Sequence, residues 1–170
     1  MHTDGLAGSE NKGNISDDAS LLVKAMVLNS DATLEDEKST GDPTEIALLM
    51  LADDLGMDRN EIYASQPRID ELAFDSDRKM MSTLHQENES FIVYTKGAVD
   101  NIILKCKYVI EQGDIIPFKD THQVVLMEAI DQMSAQALRT LAVAYKSTNA
   151  PLAQHDFEEE LVLIGVVGMI

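Results

Sequence analysis

An α+β domain, an antiparallel β-sheet flanked by helices, is the fold this sequence predicts, and three observations carry the prediction. The first third of the chain has helical periodicity, and from Arg68 the period turns strand-like. Hairpins are frequent among the strand candidates, and helices and strands do not alternate strictly, as a doubly wound parallel sheet requires.

Taken in order, residues 1–15 (MHTDGLAGSENKGNI) are rich in Gly, Asn and Asp and read as a flexible lead-in to a single domain over 16–170. Ser16 can cap a helix with Asp17 and Asp18 in its first turn and Leu21, Leu22, Ala25, Met26 and Leu28 on its apolar face. Residues 29–41 read as a polar loop. Asp42, Pro43 and Glu45 then supply the cap, N1 and N3 residues of a second helix. Its body is apolar nearly all round up to Gly56, which predicts deep burial. Asp58 and Glu61 open a short helix to about Ser65. RIDELAF, MMSTLH and SFIVYT are strand candidates, followed by a helix over 97–106 and a hairpin around Gln112-Gly113-Asp114. Asp120 caps a long amphipathic helix through Leu138, and TLAVAYK and LVLIGVVGM complete the strands, with an acidic linker over 154–160 between them.

The 170 residues carry a net charge of −17, which opposes binding to nucleic acid or an anionic membrane, so an anionic ligand must enter through a locally basic window. The single cysteine, Cys106, excludes an intrachain disulfide, and the four histidines lack metal-ligand spacing. The apolar run at 161–170 is too short to span a bilayer, no cationic-then-apolar signal follows Met1, and a soluble monomer is expected. Against this acidic background residues 93–106, VYTKGAVDNIILKC, stand out. They place the ammonium of Lys96 at a strand's carboxyl end beside the free amides of a helix N-terminus, a spot that attracts phosphates.

Five segments occur in order: MVLNSDA (26–32), GDPTEIALL (41–49), LAFDSDRKMMS (72–82), YTKGAVDNIILKC (94–106) and LRTLAVAYK (138–146), with LIGVVGMI (163–170) as a sixth. The series resembles the nucleotide-binding domain of P-type cation-transporting ATPases, most closely the calcium-pump-like type II branch in its bacterial form. The resemblance implies an ATP-binding domain on the cytoplasmic face of a multi-pass membrane pump. Its partners would be ATP and the pump's phosphorylation and actuator domains. It also implies that Mg²⁺ arrives with ATP and is held mainly by the phosphorylation domain. Neither the family's Asp-Lys-Thr-Gly-Thr motif nor its Asp-Pro-Pro-Arg continuation occurs here. The expectation is therefore an excised domain, without catalytic or metal-binding residues, that binds ATP and does not hydrolyse it. Calcium is the cation the resemblance favours, with Mn²⁺, Na⁺/K⁺ or Mg²⁺ as alternatives. A competing reading is an acidic protein-interaction module without a nucleotide. A self-sufficient ATP-using enzyme is disfavoured, since no Gly-x-x-x-x-Gly-Lys loop is present.

The resemblance carries over residue by residue. Phe74 would stack on adenine, where otherwise it would be a core phenylalanine. Glu45 would accept from the adenine amino group, with Thr44 on the same edge, or else complete a capping box with Asp42. Lys79 and Arg78 would point to opposite faces of a strand. The resemblance selects Lys79 for the pocket and leaves Arg78 to a salt bridge or solvent. Met81 would be an adaptable pocket wall or plain core. Lys96 would lie along the adenosine and phosphate path, with Gly97 and Ala98 letting the ligand approach the backbone. Val99-Asp100 replaces the family's Pro-Glu after that motif. Arg139 would grip phosphate, or satisfy carbonyls at a helix end, and Leu141 would wall the adenine. Ser76 stands where reticulum calcium pumps have a second arginine, which implies a weaker phosphate grip or one shifted to Lys79.

Overall fold

A computed structural model describes residues 16–35 and 38–169; the lead-in expected over 1–15 lies outside the described residues. The first helix, α1 (Asp17–Leu28), begins as its sequence dictates, with the Ser16 hydroxyl accepting from the Ala19 amide at 3.1 Å. It buries Val23 and Val27 as well as Leu22, Ala25, Met26 and Leu28, more than the single apolar face expected.

Residues 29–41 are not a featureless loop. Strands β1 (Thr33–Glu35) and β2 (Lys38–Thr40) pair antiparallel in a small hairpin of their own. Three-residue strands of mostly polar side chains carry too little alternation to register as strands. Helix α2 (Pro43–Asp54) starts on Asp42, whose carboxylate accepts from the Thr44 amide at 2.7 Å. It buries only Leu48, Leu49 and Ala52 fully, and Met50 is 52% exposed, so the deep burial expected of it does not occur. The helix lies on the outside of α1, covered on one face. Helix α3 (Arg59–Ser65) has Asp58 as its cap.

The main sheet is built from β3 (Arg68–Asp75), β4 (Met80–Glu87), β5 (Ser90–Gly97), β6 (Cys106–Glu111), β7 (Asp114–Pro117), β8 (Arg139–Thr148) and β9 (Leu161–Met169). Its seven strands run in the order β3-β4-β5-β8-β9-β6-β7. All neighbours are antiparallel except β6 and β9, which are parallel, so the sheet is mixed rather than purely antiparallel. The β6–β7 hairpin turns on Gln112 and Gly113, both at positive φ (51° and 86°), as a tight two-residue loop demands.

Two helices come out shorter than expected. The segment after β5 is only α4 (Val99–Ile102) and a 3₁₀ turn over Ile103–Lys105, because Cys106 already belongs to β6. Helix α5 (Asp120–Ala135) ends before Leu138, with Ala137 at positive φ turning the chain into β8. Lys119 rather than Asp120 occupies the cap position, its amide donating to His122 Nδ1 at 3.0 Å.

The sheet is a central layer. On one face α1 and α2 cover Tyr94, Val143 and Ile164; on the other, α4 and α5 cover Ala142, Leu163 and Val166. The segment expected as an acidic linker also packs: Phe157 is fully buried against Leu84 and Val93. No helix among the described residues is long and apolar enough to cross a membrane.

Candidate functional site

Strand register brings the candidate residues to one end of one sheet face. Met81 pairs with Lys96, Lys96 with Val143, and Arg139 with Met169, and residues opposed in this way share a face. Leu141 lies two residues from both Arg139 and Val143 and so joins them. On β3 the register slips between Leu72 and Asp75, a bulge that sets Ala73 and Phe74 together opposite Met81. Phe74 is 62% exposed there, so it is not a core residue, whereas Met81 is buried.

The N-terminus of α2 closes over this end. Glu45 reaches down to Lys96, Oε1 to Nζ at 3.0 Å, while its Oε2 accepts from the Asp31 and Ala32 amides at 3.0 and 3.1 Å. Its partner is thus the loop after α1, and the capping interaction on α2 is made by Asp42 alone. A carboxylate offers about four acceptor positions, so one on Oε1 stays open. Lys96 is 6% exposed and also donates to the Asn29 carbonyl at 2.7 Å. Burial pushes its pKa below the usual lysine value, against the upward pull of Glu45, Asp31 and Asp42. Its ammonium therefore points across the face to α2 and not, as its position in the sequence suggested, at the amides of the short helix that follows.

Thr44 sits beside Arg139, whose Nη1 donates to the threonine hydroxyl at 3.2 Å. Asp42, Pro43, Thr44, Ala47, Arg139 and Met169 line a cleft of about 310 Å³ there. The Thr44 amide holds the Asp42 carboxyl below its ordinary pKa, and Arg139 acts in the same direction.

Lys79 is not on a strand. It lies at positive φ (59°) in the turn between β3 and β4, so the alternation expected between it and Arg78 does not apply. Its side chain is exposed, and its carbonyl accepts from the Ala98 amide at 2.9 Å. Arg78 forms the salt bridge considered for it, to Glu158 at 2.7 Å. The close approach that Gly97 permits is to the chain itself. A β-carbon there would lie 2.3 Å from the Lys79 carbonyl oxygen and 2.6 Å from Met80 Cβ. Gly97 and Ala98 thus lock the end of β5 to the turn that carries Lys79.

Asn29 was not singled out from sequence. Fully buried, it donates from Nδ2 to the Tyr94 carbonyl at 2.7 Å, while its own carbonyl holds Lys96. Its Oδ1 is the buried side-chain oxygen left without a hydrogen-bond partner among the described residues. A lone Asn following a helix gives no signal beyond an ordinary C-cap. From Asn29 a buried polar chain continues through Thr83 to His85, whose Nδ1–H donates to the Gln66 carbonyl at 2.9 Å. A larger, polar cleft of about 630 Å³ opens beside loop 30–32. Both of its arginines are committed, Arg59 to Asp53 and Arg68 to Asp31 and to the carbonyls of Leu28 and Ser30, which leaves no free cation among its described lining residues.

The family model described as P-type ATPase, cytoplasmic domain N, matches residues 18–170. The chain belongs to this family. The N domain is 42% identical over 159 residues to calcium-transporting ATPase 1 of Bacillus cereus, covering 92% of this chain and 18% of that protein. It is 38% identical over 164 residues to the calcium-transporting ATPase lmo0841 of Listeria monocytogenes, covering 95% and 19%. To calcium-transporting ATPase 1 of Lactococcus lactis it is 35% identical over 156 residues, covering 90% and 18%. The chain thus spans about a fifth of the length of these relatives. No group of three or more His, Cys, Asp or Glu side chains converges among the described residues of the N domain.

Proposed function

We propose that this chain binds ATP for a P-type pump that transports a cation, with calcium as the cation. One observation carries the reading: Phe74, Met81, Lys96, Leu141 and Arg139 come from four strands yet share one end of one sheet face, beneath Thr44 and Glu45. Adenine stacks on the exposed ring of Phe74. Its amino group donates to the open position on Glu45 Oε1, and Leu141 and Met81 supply apolar wall. Lys96 holds the Glu45 carboxylate in place, Nζ to Oε1 at 3.0 Å, and contributes positive potential to the ligand. Arg139 and the exposed Lys79 lie to either side and steer the polyphosphate outward. Calcium rests on the names of the bacterial relatives. The phosphoryl transfer, its Mg²⁺ and the cation path belong to other domains of such a pump, at a cytoplasmic membrane face.

One stack, one or two hydrogen bonds and a few exposed charge contacts, less the ligand's lost freedom, amount to roughly −4 kcal/mol, a Kd on the order of 1 mM. Titration with ATP followed by amide NMR tests this. Shifts clustered at Phe74, Lys96 and Arg139 are expected, and unshifted amides there at several millimolar ATP would refute the reading.

A further inference from the structure

The backbone and the Asp75 carboxylate close the turn between β3 and β4, and the Arg78 guanidinium adds only a long contact to that carboxylate, Nη1 to Oδ2 at 3.9 Å. The Asp75 carboxylate accepts from the Asp77 and Arg78 amides at 2.7 and 3.2 Å, and the Lys79 amide donates to the Asp75 carbonyl at 2.6 Å. The guanidinium does something else. Its Nη2 donates to the carbonyl of Ala73 at 3.0 Å and to that of Met80 at 3.1 Å. Those carbonyls belong to the peptide planes that lead into Phe74 and Met81, and a peptide plane fixes the amide of the residue after it.

Arg78 is aimed by Glu158, which takes its Nε at 2.7 Å. Glu158 is 7% exposed, and its other oxygen accepts from Ser82 Oγ at 2.6 Å, which is in turn bonded to Thr95 Oγ1 at 2.8 Å. The segment that carries it is fastened at Phe157 and by Lys146, whose ammonium donates to the carbonyls of Asp156 and Glu159. Burying a carboxylate costs several kcal/mol in lost hydration, and a turn that is already closed does not need it. What the pair adds is a fixed direction for the two residues that flank the turn.

We propose that Arg78 and Glu158 are positioning residues that hold Phe74 and Met81 in place for the base of the nucleotide. This rests on the reading above, that Phe74 stacks on adenine. Two variants test it in the chain itself: Arg78→Met, which keeps the packing stem and loses the fork, and Glu158→Gln, which keeps an acceptor for Ser82 and loses the charge. Amide NMR reports both the fold and the ATP Kd. The expected result is about tenfold weaker ATP binding for Arg78→Met and about threefold for Glu158→Gln, with dispersed spectra and altered Phe74 ring shifts. Arg78→Lys should recover only part of the loss, because one ammonium cannot span both carbonyls and Glu158. On a Phe74→Ala background Arg78→Met should weaken binding by less than about twofold, because the residue it positions is gone. Unchanged affinity in Arg78→Met, or the full tenfold loss on both backgrounds, would overturn the proposal. If Arg78→Met does not fold, Glu158→Gln decides by the same comparison. A native chain that shows no ATP shifts ends the nucleotide reading and this inference with it, whereas a native chain that binds beside an unaffected Arg78→Met ends this inference alone.

Discussion

Lys96 and Glu45 form a largely buried ion pair, and each has a second obligation, to the Asn29 carbonyl and to the amides of Asp31 and Ala32. Breaking such a pair from one side strands the other charge, so Lys96→Met is expected to cost about 3–5 kcal/mol in urea unfolding. Glu45→Gln added to Lys96→Met should then cost less than Glu45→Gln alone; strictly additive losses would count against a coupled pair. The sequence made Glu45 legible as the N3 residue of a helix, because capping signals are local. It could not reveal what the carboxylate holds, because the amides of Asp31 and Ala32 arrive from a loop thirteen to fourteen residues upstream. Asn29 stayed hidden for the same reason: its partners Tyr94 and Lys96 are more than sixty residues away.

At the scale of elements, the junction of β5 with the β3–β4 turn is set by the missing side chain at Gly97. Gly97→Ala forces a methyl group against the Lys79 carbonyl and Met80 Cβ, and overpacking of that kind costs about 1–3 kcal/mol. Thermal unfolding should show a lower Tm, accompanied by amide shifts at Lys79 and Ala98; an unchanged Tm would mean that the junction is loose. Most strands were legible because short runs such as SFIVYT and TLAVAYK are rich in β-branched, aromatic and other apolar residues and are bounded by turns or helix ends. The β1–β2 hairpin was not, since Thr33–Glu35 and Lys38–Thr40 are too short and too polar to show a period. Helix α4 is shorter than the sequence suggests because VDNIILKC suits a helix locally, and only pairing with Leu161 of β9 claims Cys106 for a strand. The parallel β6–β9 pair was likewise invisible, since register between distant strands leaves no mark in either one.

For the whole molecule, pH is the simplest probe. His85 is buried and neutral, and burial pushes its pKa from the ordinary 6.5 down to about 4. Below pH 6.5 the unfolded chain takes up a proton that the folded chain accepts only near pH 4. Stability should therefore fall as pH falls across that window, by about 3 kcal/mol, and His85 contributes no slope above it. Denaturant midpoints between pH 7 and 4 check this, with His85→Gln expected to flatten the slope; an equal slope in the variant would refute it. Asp42 and Asp75, held below the ordinary carboxylate value, add their losses at lower pH. The bulge that lifts Phe74 out of β3 has a consequence at this scale as well. β3 is one of the two edge strands, where open backbone groups invite another chain to add on and begin aggregation. Its irregular register, together with Arg68, Asp70, Glu71 and Asp75 along its length, spoils that template. The same irregularity that exposes an aromatic ring at the rim of the sheet thus blunts the open edge beside it.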